Sequence, residues 1–307
     1  MKKFISILLA GAMAAAALTG CAKTPGGAAS GSTPLVLNEV AHSIFYAPQY
    51  AAIELGYFEE EGIDLTLVNG AGADKVMTAL ISGDAQIGFM GSEASIYVYQ
   101  EGSQDYAVNF AQLTQRLVGR QPEDNFKWEN LKGKKVLGGR AGGMPQMVFE
   151  YILKKHGLDP KTDLTIDQSI NFGLTAAAFT SNDADYTVEF EPFATTLESE
   201  GSGTVVASLG TESGYVPYTA YCARKSYMEN NPELIQKFTN AIQKGMDYVN
   251  SHSAEEIAKT IAPQFKETPV DKIAIIVGRY KDQDTWKDNT VFEKDSFELL
   301  ENILQEA

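Results

Sequence analysis

The side chains able to do chemistry fall in a few short clusters. Glu189-Phe190-Glu191-Pro192 sets two carboxylates two residues apart, and in a strand these would share a face. Such a pair can act as general acid and base, or accept hydrogen bonds from amino groups or a cation. No candidate nucleophile or metal cluster accompanies the pair, so the acceptor reading is preferred. Gly91-Ser92-Glu93 opens a helix. There Ser92 either caps the helix or meets a ligand, and Glu93 either meets a ligand or answers the helix dipole. Free N–H groups at such an end also favour an anion. Gly138-Gly139-Arg140-Ala141-Gly142-Gly143 joins a strand to a helix, with Gln146 just beyond. Its glycines, Gly142 and Gly143 in particular, let backbone approach a ligand, and Arg140 is the one obvious strand-end cation. The run matches neither G-x-G-x-x-G nor a P-loop, so it carries no nucleotide claim. Asn38, His42, Phe45, Tyr46 and Gln49 border the loop after the first strand, where rings could stack on a flat ligand and polar groups could hydrogen-bond it. Asn171 and Tyr218 add further contacts, the latter with Tyr215 and Tyr221 nearby.

Other chemistries find little support. The three histidines, His42, His156 and His252, are scattered, and Trp286 and Lys287 break the calcium-loop pattern that Asp282–Asp288 superficially offers. Neither metal nor cofactor is expected. The formal net charge is −15 over 307 residues, a surface that repels phosphate backbones, so no nucleic-acid partner is expected. Two cysteines, Cys21 and Cys222, are too few for a disulfide scaffold. Cys222, in an apolar and aromatic run, reads as a buried small hydrophobe.

The elements that hold these clusters alternate. PLVLNEV, IDLTLV and AQIGFM are short strands, separated by the helices QYAAIELGYFEEEG and ADKVMTALISGD and followed by GSEASIYVYQEG. The pattern restarts with LKGKKVLGG, MPQMVFEYILKKHG, DLTIDQ, GLTAAAFTSND, DYTVEF, PFATTLESEG and TVVASLG. This is a second α/β unit inserted in the first. VPYTAYCARKSY returns as a strand, and a helical tail follows from Asn231. Such order implies mostly parallel sheets flanked by helices, with ligands expected beyond the strands' carboxyl ends. At the start, Lys2 and Lys3 precede an apolar run, and Leu18-Thr19-Gly20-Cys21 resembles a bacterial lipobox. Residues 1–20 therefore read as a lipoprotein signal peptide, Cys21 as the lipidation site and 21–34 as a flexible tether.

YAPQYAAIELGYFEEEGIDLTLVNGAG, TALISGDAQIGFMGSEA and LKGKKVLGGRAGGMPQ together resemble the periplasmic binding proteins of the nitrate, sulfonate and thiamine-pyrimidine group. The resemblance runs over nearly all of residues 34–307. It implies a two-lobed α/β binding-protein fold of type 2, with lobe I at 35–118 and 215–307, lobe II at 119–214 and a ligand cleft between. It further implies a monomeric, lipid-anchored receptor on the extracytoplasmic face of a bacterial membrane, which hands a small-molecule solute to an ABC permease and its ATPase. With Glu93, Glu189 and Glu191 at strand ends, the expected solute is a neutral or cationic nitrogen heterocycle such as a thiamine-type aminopyrimidine. Sulfonate, taurine or nitrate is the alternative. The same superfamily resembles a thiamine-pathway pyrimidine synthase, but the Cys-rich motif of that enzyme is absent here. The connection near Gln112–Gly119 is shorter than the resemblance leads one to expect.

Overall fold

The computed structural model describes residues 31–306 apart from 103, 104, 106, 114–116, 120–124, 171, 172 and 215. Its architecture rests on two five-stranded sheets of matching design. The first has the order β2-β1-β3-β10-β4, from β1 (Thr33–Glu39), β2 (Ile63–Asn69), β3 (Ile87–Gly91), β4 (Ala107–Leu113) and β10 (Thr219–Arg224). The second has the order β7-β6-β8-β5-β9, from β5 (Leu117–Gly119), β6 (Lys135–Leu137), β7 (Thr165–Asp167), β8 (Tyr186–Thr187) and β9 (Thr204–Ala207). In each, three strands run parallel and one strand from the crossover, β10 or β5, runs antiparallel to both of its neighbours.

Local signals set the helices that cover these sheets. They are α1 (Ala47–Glu54), α2 (Tyr57–Glu60), α3 (Ala73–Ser82), α4 (Glu93–Gln100), α5 (Met144–Lys155), α6 (Thr175–Ser181), α7 (Phe193–Ser199), α8 (Leu209–Ser213), α9 (Lys225–Asn230), α10 (Pro232–Ser251), α11 (Ala254–Ile261), α12 (Val270–Asp282) and α13 (Lys294–Glu306). Pro48, Pro145 and Pro232 stand in first turns, where a missing N–H costs nothing. Ser253 and Glu256 form a reciprocal capping box on α11. The single helix expected over 49–62 is broken: Gly56 takes φ 74° and divides α1 from α2.

One core lies between the first sheet and α1, α10, α11 and α12, including Leu37, Phe89, Ile242 and Ile276. A smaller cluster of Val76, Leu80, Met90 and Cys222 fills the sheet's other face. The second sheet is likewise covered twice, by α5 and α13 on one side and by α6 and α7 on the other. Two expectations about boundaries change. Strand β5 pairs in the second sheet from Leu117, so the first crossover precedes residue 118. Helix α13 lies within the stretch expected in lobe I, yet it buries Leu300 and Ile303 in the core around α5. Strands β4 and β5 were missed because that stretch interleaves polar residues, and pairing with β10, β8 and β9 decides its structure. Residues 114–116, within the short connection, lie outside the described set.

Candidate functional site

The loops that follow β1, β3, β6 and β8 meet between the two sheets, and hydrogen bonds cross there from one side to the other. Ser43 Oγ, after β1, donates to the backbone oxygen of Glu191 at 2.7 Å. Tyr97 on α4 donates from its hydroxyl to the Gly142 carbonyl at 3.4 Å. Arg140 reaches Asp74 at the head of α3 at 2.9 Å. Arg279 on α12 reaches Thr195 Oγ1 on α7 at 2.8 Å and Glu191 Oε1 at 3.3 Å.

Between these bridges lie two buried polar atoms with no hydrogen-bond partner, Glu93 Oε2 and the Tyr218 hydroxyl. Native interiors seldom leave such groups unpaired, because each then carries its full desolvation cost. Both come from the first sheet's side. Glu93 is the first residue of α4, and its carboxyl accepts the backbone N–H of Met144, the first residue of α5, from across the cleft. Burial pushes its pKa up to about 8. The carboxyl folds back over Gly91, where an added Cβ would sit 2.1 Å from Oε2. Tyr218 enters β10 and is 5% exposed, and burial and the nearby Glu93 carboxyl raise its phenol well above the usual range. Ser92 ties the two together, since its hydroxyl donates to the Pro217 carbonyl beside Tyr218. Tyr46 lies close to Glu93, its hydroxyl bonded to the Thr219 side chain. The rings of Phe45 and Phe190 stand 6.3 and 6.4 Å from that of Tyr218, each edge-on.

Several expected contacts are spent on the fold instead. Gln49 is buried between Glu39 Oε2, to which its amide donates at 2.8 Å, and Tyr221, whose hydroxyl donates to its Oε1 at 2.9 Å. His42 sits at the edge, with Nδ1 2.7 Å from Glu39 Oε1 and Nε2 2.9 Å from the Gln264 carbonyl. The hydrogen bond to Glu39 holds its pKa above the usual value. Phe45 is 1% exposed and packs chiefly on Tyr46 and Tyr280, and its carbonyl accepts the indole N–H of Trp286. Ser92, expected either to cap α4 or to face ligand, does neither because Pro217 takes its hydroxyl.

The paired-acid expectation also changes. Strand β8 ends at Thr187, so Glu189 and Glu191 do not sit in strand register. Glu189 accepts from Thr175 and Thr187 at 2.9 and 2.7 Å, and burial lifts its pKa to about 7. Glu191 takes the backbone and side-chain donors of Thr195, both at 2.9 Å, and Arg279. Arg140 is half exposed and paired with Asp74, so it faces the outer edge rather than the buried pair. Gln146 bonds the Gly142 amide at 2.9 Å and Glu150 at 2.6 Å, which shapes the turn into α5. Gly143 precedes α5 and places the Met144 amide. Asn38 is buried with its Oδ1 unpartnered beside Gly70, where a Cβ would stand 2.7 Å away. Asn171, Tyr215 and Cys21 lie outside the described residues. Sequence reasoning missed Ser43, Asp74, Tyr97, Met144 and Arg279. Only Met144 had a local signal, as the residue after the glycine run.

A family pattern described as "NMT1/THI5 like" matches residues 44–256. A Bacillus subtilis (strain 168) protein named "Putative binding protein YtlA" is 44% identical over 279 residues, covering 90% of this chain and 84% of that protein. The 4-amino-5-hydroxymethyl-2-methylpyrimidine phosphate synthase of Aspergillus parasiticus is 23% identical over 225 residues, 68% of this chain and 64% of that protein's length. Among solved structures, the periplasmic aliphatic sulphonate binding protein SsuA of Escherichia coli superposes with a TM-score of 0.70 at 17% identity, covering 89% of this chain and 86% of that one. The chain belongs to the NMT1/THI5-like family and has the two-lobed fold of the periplasmic binding proteins.

Proposed function

We propose that this protein is the solute receptor of an ABC importer and that it captures a small nitrogen heterocycle of the aminopyrimidine type. One observation carries the ligand reading: Glu93 Oε2 and the Tyr218 hydroxyl are buried between the two sheets without partners. A carboxyl and a phenol together complement a ring that bears an amino group beside a ring nitrogen. The ring of Phe190, edge-on to Tyr218, offers an apolar wall. Capture shifts an open–closed equilibrium, because the closed form adds the Met144 amide and the bridges across the cleft. Delivery to permease and ATPase subunits, outside the membrane and tethered by lipid on Cys21, completes the reading. The name of the Bacillus subtilis relative supports binding rather than synthesis. So does the internal engagement of Glu189 and Glu191, whose carboxyl oxygens are taken by Thr175, Thr187 and Thr195.

The test is a thermal-shift panel on the purified protein, setting aminopyrimidines against taurine, alkylsulfonates and nitrate. A ligand at about 100 times its dissociation constant stabilises by roughly 2.7 kcal/mol, a clear rise in melting temperature. Aminopyrimidines should raise it in the wild type and not in Glu93→Gln. A rise with the anions alone would overturn the heterocycle reading in favour of the Met144 amide as an anion contact.

A further inference from the structure

Glu93 is a buried carboxyl group that faces no positive charge. The donors that reach it are backbone amides, those of Met144 and of Glu93 itself, and Oε2 has none. The titratable groups around it are Tyr97 on its own helix, Tyr46 in the turn after β1, Tyr218 at the entry to β10 and Cys222 within β10. All are neutral at ordinary pH, with burial pushing the Cys222 thiol up to about 12 and the phenols above their usual range. Among the described residues no lysine, arginine or histidine pairs with Glu93. A carboxylate enclosed in this way carries a large desolvation penalty, so the free site holds Glu93 as the neutral acid.

The geometry points to a ligand that supplies the missing positive charge itself, through a basic nitrogen of the amidine type that ion-pairs with Glu93 while a neighbouring polar group meets Tyr218, so that capture is linked to a proton. This rests on the reading of Glu93 and Tyr218 as ligand contacts. The proton balance depends on how the ligand arrives. A ligand already protonated meets Glu93 as an acid; the carboxyl O–H bond breaks and one proton leaves to solvent. A neutral base instead takes that proton onto its ring nitrogen; the O–H bond breaks, an N–H bond forms, and no proton leaves. The two classes therefore show opposite pH profiles. Affinity for a permanent cation rises about tenfold per pH unit until pH about 8, then levels. Affinity for a neutral base is level up to about 8 and falls about tenfold per unit beyond it.

Calorimetric titration from about pH 6 to about pH 9.5 tests this, with benzamidine as the cation and 4-aminopyrimidine as the neutral base. The wild type should give the two opposed profiles, and Glu93→Gln should flatten both. Glu189→Gln, a second buried carboxyl whose oxygens are both taken by threonines, should leave both unchanged. A measurement that needs no variant is the proton count from two buffers of different ionisation enthalpy at about pH 6.5: about one proton released with benzamidine and about none with 4-aminopyrimidine. A probe that binds with a flat profile and no such difference overturns the proton linkage alone. If neither probe binds, the assignment of the Glu93–Tyr218 site falls and the linkage with it.

Discussion

Replacing Gly91 by alanine moves one group of the site and leaves the fold almost untouched. The new Cβ would lie 2.1 Å from Glu93 Oε2 and 2.5 Å from Oε1. To regain ordinary contact the carboxyl must retreat by roughly 1.5 Å. The obstacle is the far end of a flexible side chain, and Gly91 is not among the residues with positive φ, so an alanine backbone fits. The retreat breaks the hydrogen bond from Met144 and misplaces the group that meets ligand. A ligand that loses its hydrogen bond to the displaced Glu93 carboxyl gives up about 1–3 kcal/mol, so affinity should fall by about 10- to 100-fold. The Met144 bond is internal to the protein, so stability in urea should fall as well, by about 1–3 kcal/mol. Calorimetric titration with 4-aminopyrimidine beside a urea melt separates the two effects. Unchanged affinity with unchanged stability would refute the placement of the Glu93 carboxyl over Gly91.

Two helical glycines give opposite expectations. A Cβ at Gly245 on α10 would sit 2.1 Å from the Pro48 carbonyl and 3.0 Å from Ala52 Cβ, so Gly245→Ala should lose about 1–3 kcal/mol despite its better helix propensity. At Gly278 on α12 the nearest atom is Ala254 Cβ at 3.9 Å, and Gly278→Ala should gain up to about 1 kcal/mol. Urea midpoints decide both, and a stabilised Gly245→Ala would contradict the close packing of α1 on α10. Arg279 joins α12 to α7 through Thr195, Glu191 and Glu198, with Glu191 1% exposed. Arg279→Ala should cost about 1–3 kcal/mol, below the full price of stranding a buried charge because Thr195 still serves Glu191. A loss under about 0.5 kcal/mol in denaturant would show that this bridge adds little.

The sequence alone determines the alternation of strands and helices, the two α/β units and the loops at which a site must lie. These follow from short-range rules. Apolar alternation marks β1 and β2, prolines open α1, α5 and α10, and glycines close α3. Tertiary structure alone decides which strand-end side chains stay free. His42, Gln49, Glu189 and Glu191 have the same residue types as a ligand contact would need. Each is taken by partners within the fold: Glu39 for His42 and Gln49, Thr175 and Thr187 for Glu189, and Thr195 with Arg279 for Glu191. Glu93 looked equally like a dipole-matching first-turn acid, and only the approach of α5 and β10 encloses it with Tyr218 and no cation. The same holds for α13, whose apolar stripe announces a buried helix without saying against which sheet. Propensity and periodicity act within a few residues, whereas desolvation and pairing also draw on groups far apart in the chain, such as Gln49 with Tyr221 and His42 with the Gln264 carbonyl.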